Sequence, residues 1–179
     1  MRIVAGKYRH RLIEYPNDAE HIRPTKDRIR EALFSSLGDI SNLTVLDLYS
    51  GSGAMGIEAI SRGANKCIFV DNNKVARNVT LNNIKNLGIS NYEFIFDDDF
   101  KALNLFKEKG YKFDIVILDP PYKSETYIDV INYLISNDLC NPHARIVSEC
   151  NHPLDFSSIK LEKVKEYRYG EINVNVLYL

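Results

Sequence analysis

Short β-branched runs alternate with helical patterns along almost the whole chain, and this alternation restricts the fold more than any other feature. TVLDLY (44–49), KCIFVD (66–71), YEFIF (92–96), FDIVIL (113–118) and ARIVSEC (144–150) have strand length and nearly continuous apolar content. Between them, residues 53–62, 100–109 and 127–135 read as helices. After Asp71, the set Val75, Val79, Ile84 and Leu87 keeps roughly helical spacing, and Gly88 follows as a cap. Near-continuous apolar strands separated by such helices indicate a parallel sheet covered on both faces. The expected fold is therefore a doubly wound, mostly parallel α/β sheet. Its end differs: KLEKVKEYRYG (160–170) and EINVNVLYL (171–179) alternate polar with apolar and meet at Gly170, as an antiparallel hairpin would. Ahead of the first core strand, Thr25–Leu37 forms an amphipathic helix with Ile29, Ala32, Leu33 and Leu37 on one stripe. Thr25 is placed to cap it and Gly38 to end it.

With 179 residues, 45% of them hydrophobic, the chain suits one globular domain with a sizeable core, residues 1–179. Residues 1–24 form a basic arm and 25–179 the core. Three cysteines, Cys67, Cys140 and Cys150, lack C-x-x-C spacing and argue against a disulfide framework or a zinc site. The histidines His21, His143 and His152 have no ligand spacing either, so no metal is expected. No apolar run approaches the ~20 residues needed to cross a bilayer. The reading is a soluble cytoplasmic protein, expected to be a monomer.

VLDLYSGSGAMG (45–56) sets a glycine loop between the first core strand and its helix. Gly51, Gly53 and Gly56 spell G-x-G-x-x-G, and Asp71 ends the next strand. Taken mechanically, this is a dinucleotide fingerprint. Asp47 opposes that: a pyrophosphate would face its carboxylate in a cleft of low dielectric. S-adenosylmethionine carries a sulfonium and an ammonium, which an acid attracts. Asp47, Asp71, Asp98 and Asp119 all fall near carboxyl ends of strands, where open α/β sheets bind ligands. Asp71 is expected to accept ribose hydroxyls and Asp97 or Asp98 the adenine amino group, Asp98 being preferred on spacing. The glycines would let backbone approach the cofactor. The bland alternatives are a tight turn without a ligand, and helix capping by Asp97–Asp99.

DIVILDPPY (114–122) ends the strand across the switch point. An aromatic amine is a poor nucleophile because its lone pair is delocalised into the ring. Two acceptors aimed at its hydrogens concentrate that lone pair on nitrogen. Asp119 supplies one and the Pro120 carbonyl the other. Pro120 and Pro121 fix φ and lack N–H donors, which leaves a stiff turn with free carbonyls. Tyr122 offers a face on which an extruded base can stack, worth ~1–3 kcal/mol. Without a ligand, the same residues are a loop start with a packing tyrosine.

These motifs resemble the class I methyltransferases that act on exocyclic amines, with their D/N-P-P-Y/F/W signature. More closely, the chain is similar to the bacterial 16S ribosomal RNA guanine-N2 methyltransferases of the RsmD type. RIVAGKYRHR at the amino terminus, RPTKDRIREALFSSL (23–37), LDLYSGSGAMGIEAISRGA (46–64), Val70-Asp71 and LDPPY (118–122) carry the likeness. The resemblance implies a seven-stranded sheet, S-adenosylmethionine as cofactor, and N2 of a guanine in 16S rRNA of the small ribosomal subunit as target. The implied catalytic residues are Asp119, Pro120, Pro121 and Tyr122. Cofactor contacts are expected from Thr25, Asp47, Tyr49, Ser50, Gly51, Gly53, Asp71, Asn72, Asp98 and Asp119. Tyr49, Ser50 and Met55 depart from the usual Phe, Ala and Leu.

Overall charge is −1, yet residues 1–11 hold Arg2, Lys7, Arg9 and Arg11 and no acid. Such local concentration is an electrostatic footprint for phosphate. Tyr8 and His10 could stack on unpaired bases, and Arg23 extends the RNA-binding set. Lys26, Arg28 and Arg30 lie further along, with Arg28 or Arg30 possible solvent-facing helix residues; the arm could equally be a solvated hairpin. Competing readings are an adenine-N6 or tRNA guanine-N2 methyltransferase, an NAD-dependent oxidoreductase, and a non-catalytic RNA-binding protein. Thiol chemistry on cytosine would need a cysteine in these motifs, and none is there.

Overall fold

The computed structural model describes residues 1–15, 27–120 and 126–179. Thr25, Arg23, Lys26, His21, Pro121 and Tyr122 lie outside them. In chain order the elements are α1 (Asp27–Leu37), β1 (Thr44–Leu48), α2 (Ala54–Ser61), β2 (Lys66–Val70), α3 (Lys74–Leu87), β3 (Tyr92–Ile95), α4 (Asp99–Lys109), β4 (Phe113–Leu118), α5 (Tyr127–Ser136), β5 (Cys140–Cys150), β6 (Lys163–Tyr169) and β7 (Ile172–Tyr178). The strands form one seven-stranded sheet in the order β3-β2-β1-β4-β5-β7-β6. The first five are mutually parallel, and β7 runs antiparallel to both β5 and β6. Both the doubly wound sheet and the terminal hairpin are as expected.

Strand side chains alternate between two apolar layers, as the two-residue strand period requires. Val45, Ile115, Ile117 and Val147 join α1, α2 and α3 on one face, while Leu46, Leu48, Val116 and Leu118 join α4 and α5 on the other. Chain order reverses between β1 and β4, so a crevice opens beyond their carboxyl ends. Among the described residues, no helix is long and apolar enough to cross a membrane.

Two expectations fail in α3 and α1. Val75 is 48% exposed, and the buried face of α3 is Ala76, Thr80, Asn83, Ile84 and Leu87. Thr80 donates to the Gly51 carbonyl at 2.9 Å, and Asn83 donates to the carbonyls of Ser52 and Glu14. Polar residues face inward here because the glycine loop and the arm supply their partners. In α1, Arg30 is fully buried, paired with Glu58 and Asp27, and so it is no part of a basic surface.

The arm docks on α2 by its backbone. The N–H groups of Val4 and Ala5 donate to the Glu58 carboxylate at 2.8 and 3.0 Å, and Lys7 N–H donates to the Ser61 carbonyl at 2.7 Å. Ile3 and Ile13 enter the same apolar layer as α1 and α2. Gly6 lies so close that a Cβ would fall 1.8 Å from the Ser61 carbonyl oxygen.

Candidate active site

Three neighbouring strands end in a cluster of acids. Asp47, the penultimate residue of β1, is buried and accepts the Gly56 N–H at 2.8 Å. Burial pushes its carboxyl up to about 7, with the Asp71 charge adding to the rise and the Gly56 bond opposing it. Asp71 follows β2 and accepts Gly51 N–H and Asn73 N–H, each at 2.8 Å; desolvation raises its carboxyl as well. Asp119 follows β4, and its carboxyl stands well above the usual range through burial and then through the charges of Glu149 and Asp47. Desolvation and mutual repulsion both disfavour the ionised forms. A ligand bearing positive charge relieves the second of these.

The loop between β1 and α2 is held by the strand beside it. Tyr49 and Ser50 both donate backbone N–H to the Val70 carbonyl, at 3.0 and 2.9 Å. Tyr49 adopts φ 83°, a conformation that bulky residues seldom take outside functional sites. Its hydroxyl donates to Asp99 at 2.7 Å and lies 3.4 Å from the Thr126 hydroxyl. Ser50 is buried, and its Oγ has no hydrogen-bond partner among the described residues. An orphaned hydroxyl costs about 1–3 kcal/mol unless a ligand takes it up.

Two of the glycines have a packing role that the sequence pattern does not show. A Cβ on Gly56 would stand 2.3 Å from the Phe69 ring, and one on Gly53 would stand 2.7 Å from Thr80. Both serve close packing of α2 and its loop against β2 and α3. Positive φ at Gly51 (54°) and Gly53 (77°) makes the turn itself.

Of the three consecutive acids, Asp98 meets Asn72, whose amide donates to it at 2.8 Å, so these two candidates come together at the sheet edge. Asp98 occupies the N-cap position of α4, but its side chain makes no capping bond. Asp99 is engaged by Tyr49, and Asp97 accepts the Asp98 N–H. Pro120 is buried, and no described residue donates to its carbonyl. Of the basic candidates, Lys7, Arg9 and Arg11 are exposed and make no ion pair among the described residues. Arg2 is instead bound to Asp27 at 2.8 Å.

Sequence reasoning missed Glu149, a buried acid in β5 beside Asp119. An acid near the carboxyl end of the strand-like run ARIVSEC was the available signal. It also missed the Tyr49–Asp99 pair, for which no local pattern exists.

S-adenosylmethionine, with a positive sulfonium and a positive ammonium, fits these residues: the orphaned Ser50 hydroxyl and carboxyls raised by burial and by neighbouring acids stand together at the carboxyl ends of β1, β2 and β4. Among the described residues, no group of three or more His, Cys, Asp and Glu is arranged to hold a metal ion.

Residues 1–178 match the family described as Conserved hypothetical protein 95. Ribosomal RNA small subunit methyltransferase D of Escherichia coli (strain K12) is 32% identical over 150 residues, covering 83% of this chain and 74% of that protein. Its Haemophilus influenzae namesake is 34% identical over 152 residues, covering 83% and 78%. A solved candidate methyltransferase, yhhF of Escherichia coli, superposes with a TM-score of 0.83 at 28% identity, covering 99% of this chain and 97% of its own. Matched along almost its full length, the chain belongs to the Conserved hypothetical protein 95 family and is a class I methyltransferase of the RsmD type.

Proposed function

We propose that this methyltransferase transfers a methyl group from S-adenosylmethionine to N2 of a guanine in 16S rRNA of the small ribosomal subunit. The observation that carries this reading is the placement of Asp119, a raised carboxyl next to Pro120, whose carbonyl accepts from no described residue, across the switch point from the glycine loop. Asp119 and the Pro120 carbonyl accept the two amino hydrogens and so localise the nitrogen lone pair. When bound, the cofactor supplies an electrophilic methyl carbon. A carboxyl held above its usual range is suited to receive the proton that the methylated amine must shed. Attack on a sulfonium needs no Lewis acid, so no metal is assigned.

Asp47, Tyr49, Ser50, Gly51, Gly53, Asp71, Asn72 and Asp98 are assigned to the cofactor; Thr25 and Tyr122 are assigned to the same crevice by sequence alone. Lys7, Arg9 and Arg11 are assigned to RNA phosphates, while Arg2 contributes by holding the arm to α1. We take arm and core to work as one cytoplasmic, monomeric unit. The names of the relatives support ribosomal RNA as the substrate class. Incubating small subunits and free 16S rRNA with isotopically labelled methyl donor, then analysing nucleosides, tests the reading. N2-methylguanosine is the expected product; N6-methyladenosine as the only product would reject guanine.

A further inference from the structure

We propose that the α1-side face of the β6–β7 hairpin is a strip for the unpaired RNA flanking the target nucleotide, with Tyr167 and Tyr169 stacking on bases and Lys163 and Lys165 meeting phosphates. This rests on the RNA-methyltransferase reading above and adds to it the surface that orients the substrate.

Strand register places the strip. Leu118 pairs with Ser148, so the next rung sets Asp119 beside Glu149, in keeping with the charge coupling of their carboxyls. Glu149 pairs with Val174, and Val174 with Tyr167. Asp119 and Tyr167 thus occupy one transverse row and point to one face of the sheet, about three strand spacings of ~4.8 Å apart. Tyr169 pairs with Ile172 two rungs further out, so the hairpin turn sits at the same end as the candidate catalytic residues.

Alternation then sorts the side chains of β6. Lys163, Lys165, Tyr167 and Tyr169 share the α1-side face without an acid from β6 among them, whereas Glu166 and Arg168 fall on the other. Both tyrosines are half-buried, with their rings against the α1-side layer. Their hydroxyls have no hydrogen-bond partner among the described residues, whereas those of Tyr49, Tyr111, Tyr127, Tyr133 and Tyr178 all do. Lys165 sits over the Tyr178 ring at 5.2 Å, which extends the alternation of cation and ring. Edge lysines also discourage strand addition, but that role requires neither tyrosine. Rings on a sheet face flanked by cations are a general means of binding unpaired bases.

The test is methyl transfer measured against RNA concentration for the full-length wild type, Tyr167→Ala/Tyr169→Ala and Lys163→Ala/Lys165→Ala, with S-adenosylhomocysteine affinity as the folding control. The tyrosine pair is expected to raise KM for RNA about tenfold with kcat changed less than about threefold, the signature of lost uniform binding. The lysine pair is expected to raise KM and to lessen the dependence of log affinity on log salt by about 0.7 per lost contact. Unchanged KM in the tyrosine pair with cofactor affinity retained overturns the strip. If the tyrosine pair loses cofactor affinity, the lysine pair decides, and an unaltered KM and salt slope overturns the strip. A wild type that transfers nothing to small-subunit RNA overturns the substrate reading and the strip together; active wild type with unaffected variants overturns the strip alone.

Discussion

The Asp71 carboxylate accepts the Gly51 N–H at 2.8 Å, so the end of β2 fixes the loop that leaves β1. Its second oxygen accepts Asn73 N–H and thereby sets the approach to α3. One side chain thus orders two segments of the crevice. Asp71→Ala removes charge-assisted bonds worth about 1.5–3 kcal/mol each. Affinity for S-adenosylhomocysteine, measured by calorimetry, should therefore fall at least about tenfold. Wild-type affinity would show that the carboxylate does not organise the site.

Glu58 is the anchor of the amino-terminal arm. It is fully buried and binds the N–H groups of Val4 and Ala5, the Arg62 guanidinium at 2.8 Å and Arg30 at 3.4 Å. Glu58→Ala takes one of two counter-charges from the buried Arg30, leaving only Asp27, and breaking a buried pair in this way typically costs about 3–5 kcal/mol. Denaturant unfolding should register that loss. Hydrogen exchange at Val4 and Ala5 should accelerate beyond the global effect; unchanged protection there would mean that Ile3, Ile13 and the Ser61 hydrogen bonds hold the arm without Glu58.

Gly56→Ala tests the packing role found for that glycine. The added methyl would lie 2.3 Å from Phe69 and 2.7 Å from the Cys67 sulfur, both on β2. Overpacking of this kind costs typically about 1–3 kcal/mol. The midpoint of urea unfolding should fall accordingly at an unchanged m value, whereas wild-type stability would refute the close approach.

Much of this arrangement was legible in the sequence, and what was not has identifiable causes. Strand positions followed from apolar runs because a doubly covered parallel sheet needs them on both faces. The acids at Asp71 and Asp119 could be placed because they stop those runs. The inward turn of Thr80 and Asn83 could not, since their partners belong to the glycine loop and the arm. Arg30 read as a surface cation because its counter-charge, Glu58, lies twenty-eight residues away along the chain. The packing role of Gly56 was not legible, because periodicity cannot show that Phe69 crowds it.

Stability of the ligand-free protein should decline as pH rises. Asp47 titrates near 3.8 when unfolded and at about 7 when folded, so the native state binds more protons across that interval. Stability is then greatest below the lower value and is lost progressively up to the higher one, by at most about 4 kcal/mol at 1.36 kcal/mol per pH unit. Asp71 and Asp119 shift in the same direction. Unfolding free energy measured from pH 5 to pH 8 should fall, with a gentler slope in Asp47→Asn. An identical slope in that variant would remove Asp47 from the account.

Asp119→Ala addresses the chemistry itself. Loss of a positioned acceptor should lower the rate of methyl transfer to small-subunit RNA by ~100-fold or more. Calorimetry on the same variant should find S-adenosylhomocysteine bound within about threefold of the wild-type affinity, since most of the residues proposed for the cofactor lie on or after β1 and β2. A slow enzyme with an intact cofactor site is the predicted result. Transfer at the wild-type rate would contradict it.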